Sequence, residues 1–366
     1  MVRDGRTSNI YICNIELNHY IEAEKGISMK QIGIALIGCG AISGVHLKAI
    51  SEIPTAKLVA VVDTNAELAA QTAETYSCAY YTDYLEMLKN PDIDVVHICT
   101  AHYQHAPMAV DALHAGKHVL TEKPMAETKE AALTMLRAAE SNPNVQLGVI
   151  FQNRYNPASQ IMKKTAQSGE LGRLLCLKGI VTWSRDASYY QTEWKGKWAT
   201  EGGGVLINQS IHTLDLLQWI GGEVTSIKGT MSTDSLEGII EVEDTVHAHL
   251  TYQSGATAIF YATNSYGINS PVEIELVFEK GKLVLTGDTL YRVIDGVQTM
   301  LTSPETSNLG AKSYWGISHG TQIADFYDHI LSDRSYGLNG PEGFKAFNLV
   351  MDVYESARSR KRISYL

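Results

Sequence analysis

The turn Gly38-Cys39-Gly40-Ala41-Ile42-Ser43 stands between an apolar run, Ile32 to Ile37, and a helical pattern that begins near Val45. A Gly-x-Gly turn in that place lets backbone approach a pyrophosphate at a helix N-terminus, where free N–H groups and the helix dipole favour an anion. The third glycine of the fingerprint is replaced by Ser43, with Gly44 following, and both are small enough for close packing of helix on strand. Asp63 closes the next apolar run, Lys57 to Val62. It lies at the roughly 20-residue spacing from which a carboxylate accepts hydrogen bonds from an adenosine ribose. Thr64 and Asn65 follow it, with no Lys or Arg to meet a 2′-phosphate, so NAD is expected rather than NADP. The regular spacing of Cys99, His102 and His105 raises a metal site, but Cys99 closes an apolar strand and no second ligand cluster is evident, so no metal is expected.

The elements that must position these residues follow a regular alternation. Strand patterns at 32–37, 57–62, near Ala79, and at 95–99, 118–120 and 146–151 are separated by helical patterns at 45–51, from Glu67, and at 84–88, 107–115 and 129–141. This predicts a parallel, doubly wound sheet covered on both faces, an α/β Rossmann domain. After Phe151 the rhythm changes to longer β-branched runs, at 174–181, 227–231, 245–252, 256–262, 274–278 and 281–285, with helical patterns at 157–168 and 212–220. Several runs follow one another without an intervening helix, which predicts an α+β domain with a large, mostly antiparallel open sheet. The division expected is an N-terminal extension over 1–29, a dinucleotide-binding domain over 30–150, a substrate-binding and oligomerisation domain over 151–319, and two helices over 320–366 that pack back across the junction. Residues 1–29 carry a short alternating run, Ile10-Tyr11-Ile12, and precede a second methionine, Met29; they read either as an extra arm or as an upstream start.

Composition agrees with this division. A chain of 366 residues is longer than one core usually serves, and 45% hydrophobic with 19% charged residues is globular usage. The net charge of −10, with the only basic cluster at Arg358 to Arg362, excludes a nucleic-acid partner. The five cysteines show no paired spacing, and neither a membrane span nor a secretory signal is seen. Reduced thiols, no membrane partner and a cytoplasmic location are expected.

The run Ala115-Gly116-Lys117-His118-Val119-Leu120-Thr121-Glu122-Lys123-Pro124 resembles the signature of the Gfo/Idh/MocA family, the glucose-fructose oxidoreductase and inositol dehydrogenase group, and the likeness extends from about Lys30 over nearly the whole chain. The resemblance implies that Pro124 is cis or tightly turned beside the nicotinamide, with Glu122 near the cofactor, and that Lys123 reaches the reacting hydroxyl. A lysine beside a cationic nicotinamide has its charged form disfavoured, so it can exchange a proton with that hydroxyl. A second matching block runs from Glu201 to His212. The family commonly has Asp four residues before the histidine, one helical turn away; here that position is Asn208, which is no base, so acid–base work is expected of His212 and Lys123. The likeness also places Thr100 and His105 beside the cofactor, Arg154 of Gln152-Asn153-Arg154 on the substrate, and His319 over it. Tyr189, Tyr190, Trp194 and Lys195 form an aromatic and basic loop suited to the apolar face of a sugar ring or to packing at an interface.

The function implied is NAD-dependent hydride transfer at a secondary hydroxyl of a sugar or glycoside, first at position 3 of a glucosyl ring, by a homo-oligomer with a small-molecule substrate. The alternatives are an inositol dehydrogenase, an enzyme that retains its NAD and cleaves glycosides by oxidation and elimination, and a non-enzymatic NAD-binding regulator.

Overall fold

The computed structural model describes residues 31–302 and 318–365; the run Ile10-Tyr11-Ile12, the reading of residues 1–29, and the residues just before Ser318 lie outside it. The first half alternates β1 (Ile32–Ile37), α1 (Ser43–Glu52), β2 (Ala56–Val62), α2 (Ala66–Tyr76), β3 (Ala79–Tyr81), α3 (Tyr84–Leu88), β4 (Val95–Ile98), α4 (His102–His114), β5 (His118–Thr121), α5 (Lys129–Ser141) and β6 (Leu147–Val149). Its six strands pair in parallel in the order β3-β2-β1-β4-β5-β6. Helices cover both faces, so the central strands are apolar throughout: every residue of β1 is buried. The order reverses between β1 and β4, and a crevice opens there at the carboxyl ends of the strands.

The second half contributes α6 (Pro157–Ser168), β7 (Leu174–Thr182), α7 (Ile211–Gly221), β8 (Val224–Ser232), β9 (Thr245–Tyr252), β10 (Thr257–Thr263), β11 (Glu273–Phe278), β12 (Gly281–Thr286), β13 (Thr289–Ile294) and β14 (Val297–Met300). With β15 (Ile363–Ser364) these strands form a nine-stranded sheet in the order β14-β13-β12-β11-β7-β10-β9-β8-β15, antiparallel except where β10 runs beside β7. One face buries Val246, Ala248 and Leu250; the other leaves Leu175 and Ile259 exposed. The methyl of Thr213 and the side chain of Leu217, on α7, lie so close to Gly179 that a Cβ there would sit 2.9 and 3.0 Å from them, so the glycine sets how near the helix lies to the sheet.

The two last helices, α8 (His319–Leu331) and α9 (Gly340–Ser359), pack back on the first half, α8 against α1 and α9 against β6 and α5, while α9 also lies against β8. Arg154 secures this junction. Its guanidinium grips Asp215 of α7 with two donors, at 2.8 and 2.6 Å, and gives a third to Glu342 of α9 at 2.8 Å.

Three differences from the sequence reading have physical causes. The helix expected from Pro107 begins five residues earlier, at His102, because the proline sits inside it rather than at its first turn. Strands β13, β14 and β15 were not expected: β14 and β15 are short edge strands, and β13, next to β14, fully buries only Leu290. Asn208 and His212 do not share one α-helix: residues Val205–Gln209 form a π-helical turn and α7 starts only at Ile211. Such turns recur at functional sites.

Removing the guanidinium in Arg154→Ala leaves the Asp215 carboxylate buried without its partner. Urea unfolding is expected to show a loss of about 3–5 kcal/mol relative to the unchanged chain.

Candidate active site

One cleft, of about 760 Å³, opens at the β1/β4 crevice and continues under the second sheet. Its first end is built by the glycine turn. Gly38 has φ +94°, and a Cβ on it would lie 2.7 Å from the Cys99 carbonyl oxygen, so glycine is required there; a Cβ on Gly40 would meet nothing within 4 Å, leaving open space at the N-terminus of α1. Ser43 is the buried residue of the Ser43-Gly44 pair and ties back to the Gly40 carbonyl at 2.7 Å, so serine takes up the packing position of the absent glycine. Asp63 braces the turn, accepting the Cys39 N–H at 2.9 Å with one carboxylate oxygen, while the other accepts the Asn65 N–H at 2.9 Å at the start of α2. Gly38, Gly40, Ala41, Ile42, Asp63 and Thr100 all line the cleft. Open backbone at a helix N-terminus with a carboxylate at the end of β2 fits a dinucleotide.

Glu122, Lys123 and Pro124 follow β5, and the Lys123–Pro124 peptide is cis. Glu122 is only 5% exposed. Burial alone would raise its pKa, but hydrogen bonds from His319 and His46 outweigh that and hold it well below the usual carboxylate range. His46 Nε2 lies 2.9 Å from Glu122 Oε1; His46 Nδ1 lies 2.8 Å from His97 Nδ1, and His97 Nε2 lies 2.7 Å from the Tyr327 hydroxyl. One direction of donation satisfies the row: Tyr327 O–H to His97, His97 Nδ1–H to His46, His46 Nε2–H to the carboxylate. His46, Glu122 and His319 also form the one group of three potential metal-ligating side chains found among the described residues. The Cys99, His102 and His105 spacing does not become one: the His102 ring meets the Glu201 carbonyl at 2.7 Å and the His105 ring the Pro124 carbonyl at 2.7 Å.

Deeper in the cleft Lys123, Asn208 and His212 come together. Lys123 Nζ donates to the Asn208 backbone carbonyl at 2.8 Å and approaches Asn208 Oδ1 at 3.4 Å. Burial lowers its pKa from the ordinary lysine value, opposed by Glu122 and Glu201. His212 is pushed down to about 3, by burial first and then by Lys123, and its Nδ1 is buried without a partner among the described residues. A ring so desolvated is neutral near neutral pH and can give or take a hydrogen bond. Tyr189, Trp183, Trp194 and Lys195 form the outer wall, with Lys195 Nζ 3.6 Å from the centre of the Tyr189 ring. His105 and His319 line the cleft as well.

Arg154 is the exception. Its side chain is spent on Asp215 and Glu342 and does not line the cleft, so the substrate-facing place expected for it is corrected; its neighbour Gln152 lines the cleft instead. Sequence reasoning also missed Glu201, which is fully buried and accepts the Asn208 side-chain N–H on one oxygen and the Gly196 N–H on the other. Burial raises its pKa to about 7. Glu243, likewise raised to about 7 by burial, holds the glycine block from beneath through the Gly204 and Leu206 N–H groups, each at 2.9 Å.

Residues 32–151 match the family model for the oxidoreductase family with an NAD-binding Rossmann fold, and residues 159–284 match the Gfo/Idh/MocA C-terminal domain. The chain belongs to the Gfo/Idh/MocA oxidoreductase family. Among its relatives in that family, a levoglucosan dehydrogenase of Pseudarthrobacter phenanthrenivorans is 28% identical over 80% of this chain and 82% of that protein. The uncharacterized oxidoreductase YrbE of Bacillus subtilis is 33% identical over 67% of this chain and 71% of its own length. The WlbA dehydrogenase of Bordetella pertussis, solved with NADH and UDP-GlcNAcA, superposes with a TM-score of 0.80 at 29% identity, covering 92% of this chain and 99% of that one. As a member of this family the chain is an NAD-dependent oxidoreductase acting on CH–OH groups.

The buried rings give the protein a distinctive acid response. His97, His102, His105, His212 and His319 all have pKa values lowered by burial from 6.5, so the unfolded chain takes up their protons first. Their contribution is complete above 6.5 and is lost as pH falls toward their folded values, and His118 adds to it; Glu127, Glu201, Asp215 and Glu243, raised, act in the opposite sense but are fewer. The melting temperature, followed by differential scanning fluorimetry, is expected to fall between about pH 6.5 and 5, above the range where ordinary carboxylates titrate.

Proposed function

We propose that this protein oxidises a secondary hydroxyl of a sugar or glycoside, with position 3 of a glucosyl ring as the first assignment, and reduces the corresponding ketone in reverse. The observation that carries it is Lys123: a lysine with its pKa lowered by burial, at the end of β5, facing the same cleft as neutral His212 and the aromatic wall. NAD, when bound, supplies the acceptor for the hydride leaving the carbinol carbon. Gly38, Gly40, Ala41, Ile42, Asp63 and Thr100 would hold its adenosine and pyrophosphate, and His105, Glu122 and Lys123 would flank the nicotinamide.

Neutral Lys123 takes the hydroxyl proton onto Nζ as the carbonyl forms, and gives it back in the reverse direction. His212 orients that hydroxyl through a ring nitrogen. Asn208 faces Lys123 and holds its ammonium form. Gln152 and His319 serve as further polar contacts, and the faces of Tyr189 and Trp194 receive the C–H face of the ring while Lys195 meets its hydroxyl groups. Support for a sugar over another alcohol comes from the levoglucosan dehydrogenase and from the WlbA dehydrogenase solved with UDP-GlcNAcA. Inositol 2-dehydrogenases lie at similar distance, one at 28% identity over 72% of this chain, so cyclitols belong in the same test.

We further propose a homo-oligomer in the cytoplasm, because the second sheet leaves Leu175 and Ile259 exposed on its open face and Cys39, Cys78, Cys99 and Cys176 are all free thiols. Among the described residues no helix is long and apolar enough to cross a membrane. A monomer by size-exclusion chromatography with light scattering at micromolar concentration would overturn the oligomer.

With NAD added, absorbance near 340 nm is expected to rise with one member of a panel of glucose, glucosides and inositols. The rate should climb with pH through the lowered Lys123 pKa and fall about 10²–10⁴-fold in Lys123→Ala with NADH binding retained. A full rate in that variant would sink the assignment of Lys123.

A further inference from the structure

We propose that Glu201 is the positioning residue that supplies, one side chain farther from the reacting hydroxyl, the carboxylate that position 208 lacks. It fixes the Asn208 amide with Oδ1 toward Lys123 and holds a negative charge behind it. The proposal rests on Lys123 as the proton-exchanging group.

The geometry leaves little freedom. Asn208 Nδ2 donates to Glu201 Oε1, and the Gly196 N–H donates to Oε2. Both partners are donors, so they favour the ionised carboxylate, which has no proton of its own to place, against the burial that raises its pKa. With its N–H₂ drawn to Glu201, the Asn208 amide can turn only its oxygen, 3.4 Å from Nζ, to Lys123. The main chain of Glu201 is pinned as well, its carbonyl meeting the His102 ring at 2.7 Å. The ionisable groups facing the carboxylate are Lys123, Lys195, Glu243, Tyr189, Tyr190 and Tyr354; of these Lys123 and Lys195 carry positive charge when protonated. Glu201 is fully buried and does not line the cleft, so it acts through Asn208 and not on a substrate.

Replacing the carboxylate by an amide breaks the match. In Glu201→Gln one of the two donors must face the new N–H₂, and the cheapest relief is a flip of Asn208 that turns its own N–H₂ toward Lys123. The lysine then loses both a negative charge and an acceptor, and its ammonium form is disfavoured. Exchanging the two groups restores the match. With Asn208→Asp and Glu201→Gln together, the introduced glutamine donates to the introduced aspartate and accepts from Gly196, while the aspartate faces Lys123 directly.

The test needs no substrate. The reactivity of Lys123 toward a small acylating reagent, followed by peptide mass spectrometry across a pH series on the NAD-loaded protein, gives its apparent pKa. Glu201→Gln is expected to move that pKa down by about half a pH unit or more, and the double exchange to return it to the unchanged chain's value or above. An unmoved Lys123 in Glu201→Gln with NADH binding intact overturns the proposal. So does a double variant whose Lys123 stays below the unchanged chain; that arm decides alone where the single variant does not fold. Silence of the sugar panel at 340 nm would instead count against the proposed activity while leaving this result standing.

Discussion

A single buried negative charge organises the molecule. Glu122 sits where β5 ends, and a carboxylate there is costly unless hydrogen bonds surround it. Those bonds come from His46 on α1 and His319 on α8, elements separated by most of the chain, and behind His46 stand His97 on β4 and Tyr327, again on α8. Satisfying one carboxylate thus fixes the first helix of the dinucleotide fold, the strand beside it and the returning C-terminal helix relative to one another. The lysine one residue on inherits its position from this arrangement. The run of donors from Tyr327 to Glu122 is satisfied at every step, while His319, on the other side of the carboxylate, keeps its Nδ1 buried without a partner among the described residues.

The substrate side is held by a different device. Three glycines, Gly202, Gly203 and Gly204, let the chain pass against its neighbours; a Cβ on Gly204 would lie 1.9 Å from the Glu243 carbonyl oxygen. The Glu243 side chain, gripped also by the Tyr354 hydroxyl at 2.9 Å, then receives the N–H groups of Gly204 and of Leu206 in the π-helical turn that carries Asn208. Arg154 locks the helix that carries His212 to α9. Lys123 and Asn208 are thus held by buried polar contacts, the lysine on the Asn208 carbonyl and the amide on Glu201.

Much of this was legible in the sequence because its signals are local. The glycine turn, Asp63 and the strand-helix alternation fall within short windows, and the Glu122-Lys123-Pro124 motif is contiguous, so the fold and the cofactor could be read directly. Arg154 was misread because its partners, Asp215 and Glu342, lie 61 and 188 residues away. No spacing rule reports such a pairing. A polar residue inside a buried strand does leave a trace: His97 between Val96 and Ile98 demands partners, and the fold supplies them as His46 and Tyr327. Glu201 left a fainter one, an acidic residue directly before three glycines. The spacing of Asn208 and His212 was read as one helical turn, and the π-helical turn that replaces it depends on Glu243, which is remote in sequence.

Asp63 does two things at once. It stands where a ribose would be met, and it also braces the glycine turn through the Cys39 N–H and the start of α2 through the Asn65 N–H. Attempts to re-engineer the coenzyme preference by exchanging this one acid for a neutral or basic side chain would therefore deform the phosphate loop along with the ribose contact. A design aimed at the phosphorylated coenzyme has to provide new acceptors for both N–H groups first, so selectivity in this scaffold is a property of the loop as a whole and not of one residue.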